Sequence, residues 1–536
     1  MKGNNRKSEV LLTNAERFSS LASMFGRKYN SADLESAWRN VMFNQFHDIL
    51  PGSGIREVYI DAPERYKQAY AVGDFQLRKS LEQIASQVNT AKLKKGKPVV
   101  VFNPLSWDRN DIVRVKLGEG DLNDYAVFDA KGKEIPSQAV SKGEYKREVI
   151  FIANKVPSLG YALYELRPQK AGAAGAALHA TPAELENDDF RIAIDSDSGW
   201  VKSIFDKRNN REVLSGFGNK LQLLEDRPSA WDAWNLGLTG REFPSTFKGA
   251  EVLENGPARV VLRLRRTYLK PGVKKDFPTE DFPSSFFTQD IILYNGVDRI
   301  DFATDVDWWE EKTMLKVAFP LTVSDTVASY EVPFGTIERS TQMRNSWEQA
   351  KVEVPAERWA DLSQNDYGVS LLNNSKYGYD IKGNSIRLSL LRSPIWPDPT
   401  ADRGKHHIEY SLYPHSGRWR DASTLQYGYD FNYPLLAVVT DKHAGKLPAE
   451  ESFLKLEPSN CVLTTVKKAE DSDAWIIQWY DAKGVHGEAT VTLPMTPKKV
   501  VMSNFMEDDG APVPFEKNVL KVHTMPNSVV TVKVTF

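Results

Sequence analysis

The spacing of the hydrophobic residues changes between residue 91 and Lys97, and this change constrains the fold more than any other feature. Up to about residue 91 the apolar residues recur every three or four positions, which is the period of an amphipathic helix. From Lys97 onward apolar and polar residues alternate in short runs separated by Pro, Gly, Asn and Asp, which is typical of half-buried strands. We therefore predict a multidomain α+β chain in which helices precede a mainly antiparallel all-β region of the β-sandwich or supersandwich type.

The helical part predicts a three-helix bundle over residues 1–91. The second helix is expected to begin at Ser31, whose hydroxyl can cap it, and to stop before Pro51, because a proline ring disfavours helical geometry in the preceding residue. The third helix starts at Ser53, and Pro63 is expected to kink or restart it. The apolar positions of the second helix are Leu34, Ala37, Trp38, Val41, Met42 and Phe43.

The β-rich part predicts three further domains and one linker. Strand-like runs cluster in groups, and a stretch rich in Ala and Gly separates the first group from the second. The predicted units are a small β-sandwich at 97–168, a linker at 169–184, a large β-sandwich at 185–440 and a C-terminal β domain at 441–536.

Composition excludes several classes of function. Lys plus Arg (69) nearly balance Asp plus Glu (71), so the net charge of -2 gives no argument for a nucleic acid or an anionic membrane as partner. The single cysteine, Cys461, rules out an internal disulfide framework and a Cys-based zinc module. No window approaches 18 consecutive apolar residues, and charges interrupt the N-terminal stretch where a signal peptide would carry its apolar core. We predict a protein that does not span a membrane and lies in the cytoplasm or periplasm, with homo-oligomerisation left open.

The strongest chemical signal is the run NVMFNQFHDILPGSG at residues 40–54. HExxH, GxSxG, Walker and dinucleotide-binding signatures are all missing from the sequence. In the run, the polar residues Asn44, Gln45, His47 and Asp48 interrupt apolar neighbours, and such groups are costly to bury without partners. One interpretation is structural, with His47 and Asp48 capping the helix end, and the other is a functional site.

This run resembles glycoside hydrolase family 38, the retaining α-mannosidases, whose bacterial and cytosolic members carry a closely similar Asn-Gln-Phe-His-Asp-Ile-Leu-Pro-Gly segment. The resemblance extends to NNRKSEVLLTNAERFSSLAS, VVVFNPLSW, LEDRPSAWDAW, RIDFATDVDWWEEKTMLKVAFP, YEVPFGTIER and YSLYPH. It implies a zinc ion bound by aspartates together with one histidine, an aspartate nucleophile and a carboxylic general acid. It further implies that His47 is the zinc-ligating histidine and that Asp48 faces the sugar.

The other parts of such a site have no match in residues 1–536. The family's His-x-Asp-x-x-Trp segment and its nucleophile segment are not found. A zinc site needs three or four protein ligands, and retaining hydrolysis needs two carboxyl groups about 5 Å apart. We therefore expect no catalytic residue in this chain, no zinc stably bound by it alone, and an N-terminal barrel supplied in cis or in trans. The Asp-x-Asp pairs are interpreted as solvated carboxylates or turn formers: Asp195 with Asp197, Asp305 with Asp307, and Asp471 with Asp473.

Two further residues are candidates for substrate contact. Asp232 lies in LEDRPSAWDAW with Trp231 and Trp234, and aromatic faces beside carboxylates suit sugar binding. The alternative is an ordered loop in which Arg227 is salt-bridged and the tryptophans cover a core. Arg392 follows an alternating strand, and the resemblance implies an arginine near the sugar site at a comparable strand end.

The first functional hypothesis is the C-terminal part of a zinc-dependent retaining α-mannosidase that hydrolyses terminal α-mannosides of mannose-containing glycans, inactive as an isolated chain. The alternatives are a non-catalytic carbohydrate-binding or scaffold protein, and one chain of a split mannosidase whose barrel docks on the bundle. In the last case Phe43, Phe46, Ile49 and Leu50 would form a large exposed apolar patch in the isolated chain.

Overall fold

The computed structural model describes residues 1–93, 95–141, 147–172, 178–269 and 285–536. Part of the predicted linker, residues 173–177, lies outside the described residues. No helix in these ranges is long and apolar enough to cross a membrane. The three N-terminal helices are α1 (Lys2–Ser23), α2 (Ser31–Asn44) and α3 (Arg56–Ala85).

The helices follow the predicted period, with two differences. Pro63 lies inside α3 without restarting it, because a proline removes only one helical hydrogen bond and the following turns are anchored by buried side chains such as Tyr66. Met42 and Phe43, which the pattern assigned to the apolar positions of α2, are 56% and 54% exposed, whereas Leu34, Ala37 and Val41 are buried.

The first β unit is a small sandwich whose sheets are completed by residues distant in sequence. A three-stranded sheet, β2-β6-β5, packs on a six-stranded sheet in which strands from residues 436–439 and 450–452 join β1 and β7. The strands of residues 97–168 are β1 (Lys97–Asn103), β2 (Arg109–Lys116), β3 (Tyr125–Asp129), β4 (Glu134–Ile135), β5 (Ser137–Ser141), β6 (Arg147–Val156) and β7 (Gly160–Pro168).

The second β unit stacks a five-, a six- and a nine-stranded sheet around one large apolar core. Residues 179–181 belong to the stretch predicted as linker, but they form the first strand of this unit because their backbone pairs with that of residues 184–186. The elements are β8 (His179–Thr181), β9 (Glu184–Glu186), β10 (Phe190–Ile194), β11 (Val201–Asp206), β12 (Arg211–Glu212), β13 (Lys220–Asp226), β14 (Leu238–Phe243), β15 (Thr246–Asn255), β16 (Arg259–Tyr268), β17 (Ser285–Tyr294), β18 (Val297–Trp308), β19 (Thr313–Pro320), β20 (Val327–Val332), β21 (Gly335–Ser340), α4 (Ser346–Ala350), β22 (Val354–Pro355), β23 (Trp359–Ser363), β24 (Tyr367–Asn373), β25 (Gly378–Lys382), β26 (Ser385–Arg392) and β27 (Gly404–Ser416).

The last part of the chain adds two four-stranded sheets, β30-β33-β36-β35 and β31-β32-β37-β34. All strand pairs of the described chain are antiparallel, so the predicted α+β class with a mainly antiparallel β region is confirmed. The elements are α5 (Thr424–Asn432), β28 (Leu436–Val439), β29 (Glu450–Ser452), β30 (Lys455–Glu457), β31 (Cys461–Lys468), β32 (Trp475–Asp481), β33 (Gly487–Thr492), β34 (Lys499–Ser503), β35 (Phe515–Glu516), β36 (Val519–Thr524) and β37 (Val529–Thr535).

The bundle and the C-terminal sheets share one continuous apolar core. Leu12 and Phe18 of α1, Phe102 of β1, and Leu463 and Trp479 of the last domain belong to the same buried cluster. The bundle is therefore one layer of a larger assembly, and this packing fixes its orientation relative to β1 and the C-terminal sheets.

Candidate functional site

The turn that follows α2 presents His47 to solvent. The helix ends at Asn44, whose buried side-chain amide donates to the Ala62 carbonyl (2.9 Å) and ties the turn to α3. The His47 side chain is 78% exposed, and its Nε2 lies 3.5 Å from Oδ2 of Asp48. Its ring packs on Phe46 at a centroid distance of 4.2 Å. Nothing else within the described ranges binds the imidazole, so it does not cap the helix as the structural interpretation required.

Asp48 is held in place by neighbouring hydroxyl groups. Ser53 Oγ donates to Oδ1 of Asp48 (3.0 Å), and the Tyr59 hydroxyl donates to its carbonyl (3.2 Å). The same Tyr59 oxygen accepts from the backbone N–H of Gly54 at 2.7 Å. These bonds use one carboxylate oxygen of Asp48 for the turn and leave the other facing His47.

A second element of the site is the loop 226–237, which leaves β13 and returns to β14. Its base is closed because Arg227 N–H donates to the Gly237 carbonyl (2.8 Å) and Gly237 N–H donates to Oδ1 of Asp226 (2.7 Å). A Cβ on Gly237 would lie 2.3 Å from the nitrogen of Pro228. Such a closed surface loop keeps its side chains in fixed positions.

Arg392, the last residue of β26, fastens this loop from outside. Its Nε donates to Oδ2 of Asp226 (2.7 Å) and Nη1 donates to the Ala233 carbonyl (3.1 Å). Nη2 donates to the carbonyls of Asp232 and Asn235. Most of the guanidinium donors thus bind the loop, so Arg392 is a positioning residue. Its contact with substrate stays a prediction.

The loop side chains agree partly with each of the two interpretations. Arg227 is paired with Glu225 (2.7 Å), as the structural interpretation expected. The tryptophans, however, do not cover a core: Trp231 and Trp234 are 59% and 49% exposed. The carboxylate of Asp232 accepts no hydrogen bond from any described residue, so it is available to a ligand.

A third loop, residues 393–403, joins these two elements. Oδ2 of Asp402 accepts from the backbone N–H of Arg392 at 3.3 Å. Burial, opposed by a hydrogen bond from the Gly54 N–H and reinforced by the negative charges of Asp398, Asp402 and Asp48, raises the pKa of the Tyr59 hydroxyl, so the carboxylates of this loop act electrostatically on the residue that binds the His47 turn. Loops 226–237 and 393–403 contact each other directly, and the second loop acts electrostatically on Tyr59 beside turn 45–55. We call these three segments the candidate site.

The described residues do not by themselves form a metal centre. No group of three or more His, Cys, Asp or Glu side chains with suitable spacing occurs among them. His47 and Asp48 can supply at most two of the three or four ligands that zinc requires. The Asp-x-Asp pairs lie outside the candidate site. One aspartate of each pair is bound by another residue: Asp195 accepts from the Ser198 N–H, Asp305 pairs with His407, and Asp471 pairs with Lys533.

Three residues of the candidate site were not among the candidates that the sequence indicated. Tyr59 lies on an amphipathic helix, and Trp396 and Asp402 lie in a loop. Only the folded chain shows that Tyr59 binds the His47 turn, that Trp396 contacts Trp231 and that Asp402 contacts Arg392. The available signal was the segment SPIWPDPTADRG, where an aromatic residue and acidic residues follow a strand.

Comparison with known proteins gives the same assignment along most of the chain. Residues 1–84 match the alpha mannosidase middle domain, 185–400 the glycosyl hydrolases family 38 C-terminal domain, and 460–534 the family 38 C-terminal beta sandwich domain. Alpha-mannosidase G of Dictyostelium discoideum is 29% identical over 95% of this chain, and alpha-mannosidase 2C1 of Homo sapiens is 29% identical over 99%. This chain spans about half the length (48%) of each of these relatives.

A solved alpha-mannosidase from Enterococcus faecalis V583 has the same fold. It superimposes with a TM-score of 0.84 at 17% identity, covering 100% of this chain and 67% of its own. With three successive domain matches from a single family, the chain belongs to glycoside hydrolase family 38, of which it contains the middle domain, the C-terminal domain and the C-terminal β-sandwich domain.

Proposed function

We propose that this chain is part of a zinc-dependent retaining α-mannosidase that hydrolyses terminal α-mannosides of glycans. The observation that carries the proposal is the exposed imidazole of His47 beside Asp48, whose carboxylate is held by Ser53. Membership of family 38 supports the reaction class. Neutral imidazole is a zinc ligand, and the exposure of His47 leaves its ring accessible to a metal.

The ligand set of this chain fits part of a zinc site. His47 offers one imidazole as a ligand, and the metal, when bound, would grip adjacent sugar hydroxyls and favour distortion of the ring. The remaining ligands, together with the two carboxyl groups that retaining hydrolysis requires, are proposed to come from a barrel outside residues 1–536. His47 then serves as a ligand, and Asp48 and Asp232 as hydrogen-bonding partners of the sugar.

The surface around His47 supports docking of such a barrel. Phe43 and Phe46 are each 54% exposed, as the split-enzyme hypothesis requires, while Ile49 and Leu50 are half-buried. Large exposed apolar side chains continue onto the start of α3 at Ile55 (53%) and Ile60 (65%). An apolar surface of this kind usually marks a contact with another protein surface.

Turnover of an aryl α-mannoside tests the proposal. With zinc added, residues 1–536 alone should show no turnover above background, and addition of the barrel, fused or as a separate chain, should restore it. Robust turnover by the isolated chain would contradict the location of the catalytic carboxylates outside it. If the assembled protein binds mannose oligosaccharides and yet hydrolyses none, the non-catalytic carbohydrate-binding alternative is favoured instead.

A further inference from the structure

We infer that Trp231, Trp234 and Trp396 form a carbohydrate-binding platform for a second sugar ring, next to the mannose that is cleaved. The inference rests on the proposed function and adds that glycans with at least two pyranose rings are the preferred substrates. We call these three residues the tryptophan platform.

The three rings contact one another and remain partly exposed to solvent. Their centroids lie 4.9 Å (Trp231–Trp396), 5.5 Å (Trp234–Trp396) and 6.0 Å (Trp231–Trp234) apart. At these distances no ligand fits between the rings, so an aromatic cage around a cation is excluded. The rings meet at interplanar angles of 87°, 74° and 45°, so they do not form one plane, and each remains 46–59% exposed and accessible to a sugar ring.

The tryptophan platform is held rigid by the backbone. Trp231 adopts φ +60°, a left-handed conformation that a bulky residue keeps only when its surroundings enforce it. The hydrogen bonds of Arg392 fix the loop that carries Trp231 and Trp234. The Ala233 N–H donates to the Trp396 carbonyl (3.2 Å), and this bond joins loop 226–237 to loop 393–403. A preorganised surface loses little conformational entropy when a ligand binds.

Polar groups accompany the aromatic faces. None of the three indole N–H groups has a hydrogen-bond partner in the part of the chain that the structure describes, and Asp232 contributes a carboxylate between two of the tryptophans in sequence. A pyranose combines an apolar face of C–H groups with a rim of hydroxyls, so it matches a surface with both stacking rings and free donors and acceptors. A purely apolar protein surface would leave these polar groups without partners.

Two residues, Arg392 and Asp402, link the tryptophan platform to the residues around the His47 turn. Arg392 contacts the platform loop through its side chain and Asp402 through its backbone, and Asp402 in turn lies near the Tyr59–Asp48 pair. Arg392 and loop 393–403 thus link the platform to the residues around the His47 turn. A glycan whose terminal mannose reaches His47 would lay its next ring on the tryptophans.

The direct test is a fluorescence titration of residues 1–536 with α-linked mannobiose, in the presence of EDTA. We expect saturable quenching at millimolar concentrations, and at least a tenfold loss of affinity in Trp231→Ala and Trp396→Ala. Trp396→Phe should retain most of the affinity, because the stacking face is kept. The matched control is Trp347→Ala, since Trp347 is 82% exposed on α4 and outside the platform.

Equal affinity in the wild type and in correctly folded Trp231→Ala and Trp396→Ala would overturn the inference, as would a wild-type titration without saturation. A loss of barrel association in these variants with sugar binding unchanged would also overturn it, because the tryptophans would then be a protein contact. Circular dichroism verifies that each variant is folded.

Kinetics of the assembled enzyme separate this inference from the proposed function. The tryptophan variants should lower kcat/KM for mannobiose at least tenfold and leave methyl α-mannoside, which lacks a second ring, unchanged. Equal losses on both substrates would overturn a role for the second ring. If neither substrate is hydrolysed while the titration still depends on Trp231 and Trp396, the platform stands and the proposed function fails.

Discussion

At the scale of single residues, Glu16 shows how the packing of α1 against the last domain changes acid–base chemistry. Burial, opposed by the positive charge of Lys467 and by a hydrogen bond with Trp38, raises the pKa of Glu16 to about 7. In the unfolded chain this carboxyl titrates near pH 4.5. The folded state therefore binds more protons between these values, and the stability contributed by the protonated group is lost as the pH rises through 7.

Replacement of Glu16 by Gln should remove this pH dependence, because the amide resembles the protonated acid. At pH 8.5 we expect Glu16→Gln to raise the free energy of unfolding by about 2–3 kcal/mol over the wild type, and the gain to shrink below pH 7 and to vanish near pH 4, below the pKa of the unfolded chain. Denaturant unfolding at the two pH values measures this. The matched control is Glu57→Gln on the exposed first turn of α3, and a gain of equal size at both pH values would contradict the account.

At the residue scale, the sequence indicated candidates where the signal was local. The run around His47 and Asp48 is contiguous, so the sequence alone could single out both residues as site candidates. Arg392 and Asp232 were also singled out, but their relation was not visible: the guanidinium reaches the Asp232 carbonyl across 160 positions. Tyr59 and Trp396 could not be predicted for the same reason, since long-range pairing brings them to the site.

At the scale of elements, the loop 226–237 depends on one glycine at its base. Gly237→Ala would place a methyl group 2.3 Å from the Pro228 nitrogen, so the loop must open or shift. We expect a loss of stability of about 1–3 kcal/mol, and faster amide exchange in residues 227–237. Gly335→Ala is the control because its added Cβ meets no atom within 4 Å. Unchanged exchange in the loop would contradict its description as a closed, rigid element.

Most helices and strands could be predicted from the spacing of their hydrophobic residues. The alternation in β2, buried at every second position, and the three- to four-residue spacing in α1 appear as expected. Two features of the fold could not be predicted from the spacing of hydrophobic residues. The exposure of Met42 and Phe43 depends on which surfaces pack against α2, and β28 and β29 join the small sandwich from more than 250 positions away.

At the scale of the whole molecule, Arg17 of α1 joins three parts of the chain. Its buried guanidinium donates to the carbonyls of Pro104 (2.9 Å), Leu463 (3.1 Å) and Thr464 (2.8 Å). These carbonyls belong to the small sandwich region and to the C-terminal domain. The bundle thus depends on polar contacts as well as on the shared apolar core.

Arg17→Ala should destabilise the assembly, because three buried carbonyls lose their donor and a cavity is left. We expect a loss of about 2–4 kcal/mol in the free energy of unfolding, with the earliest loss of amide protection in α1 and β31. Thermal unfolding and hydrogen exchange measure both effects. Arg39→Ala, which removes an exposed pair with Glu35, should change stability by less than about 0.5 kcal/mol. Equal effects of the two substitutions would contradict the joining role of Arg17.

The central claim for the whole molecule is that His47 completes a zinc site whose other ligands lie outside residues 1–536. The most direct measurement is the zinc content of the barrel-plus-chain enzyme, determined alongside its turnover of an aryl α-mannoside. The wild type and the exposed control His179→Ala should bind one zinc per assembled enzyme and hydrolyse the substrate. His47→Ala should lose most of the zinc and, with it, the activity. A His47→Ala enzyme that retains full zinc content and full turnover would contradict the account.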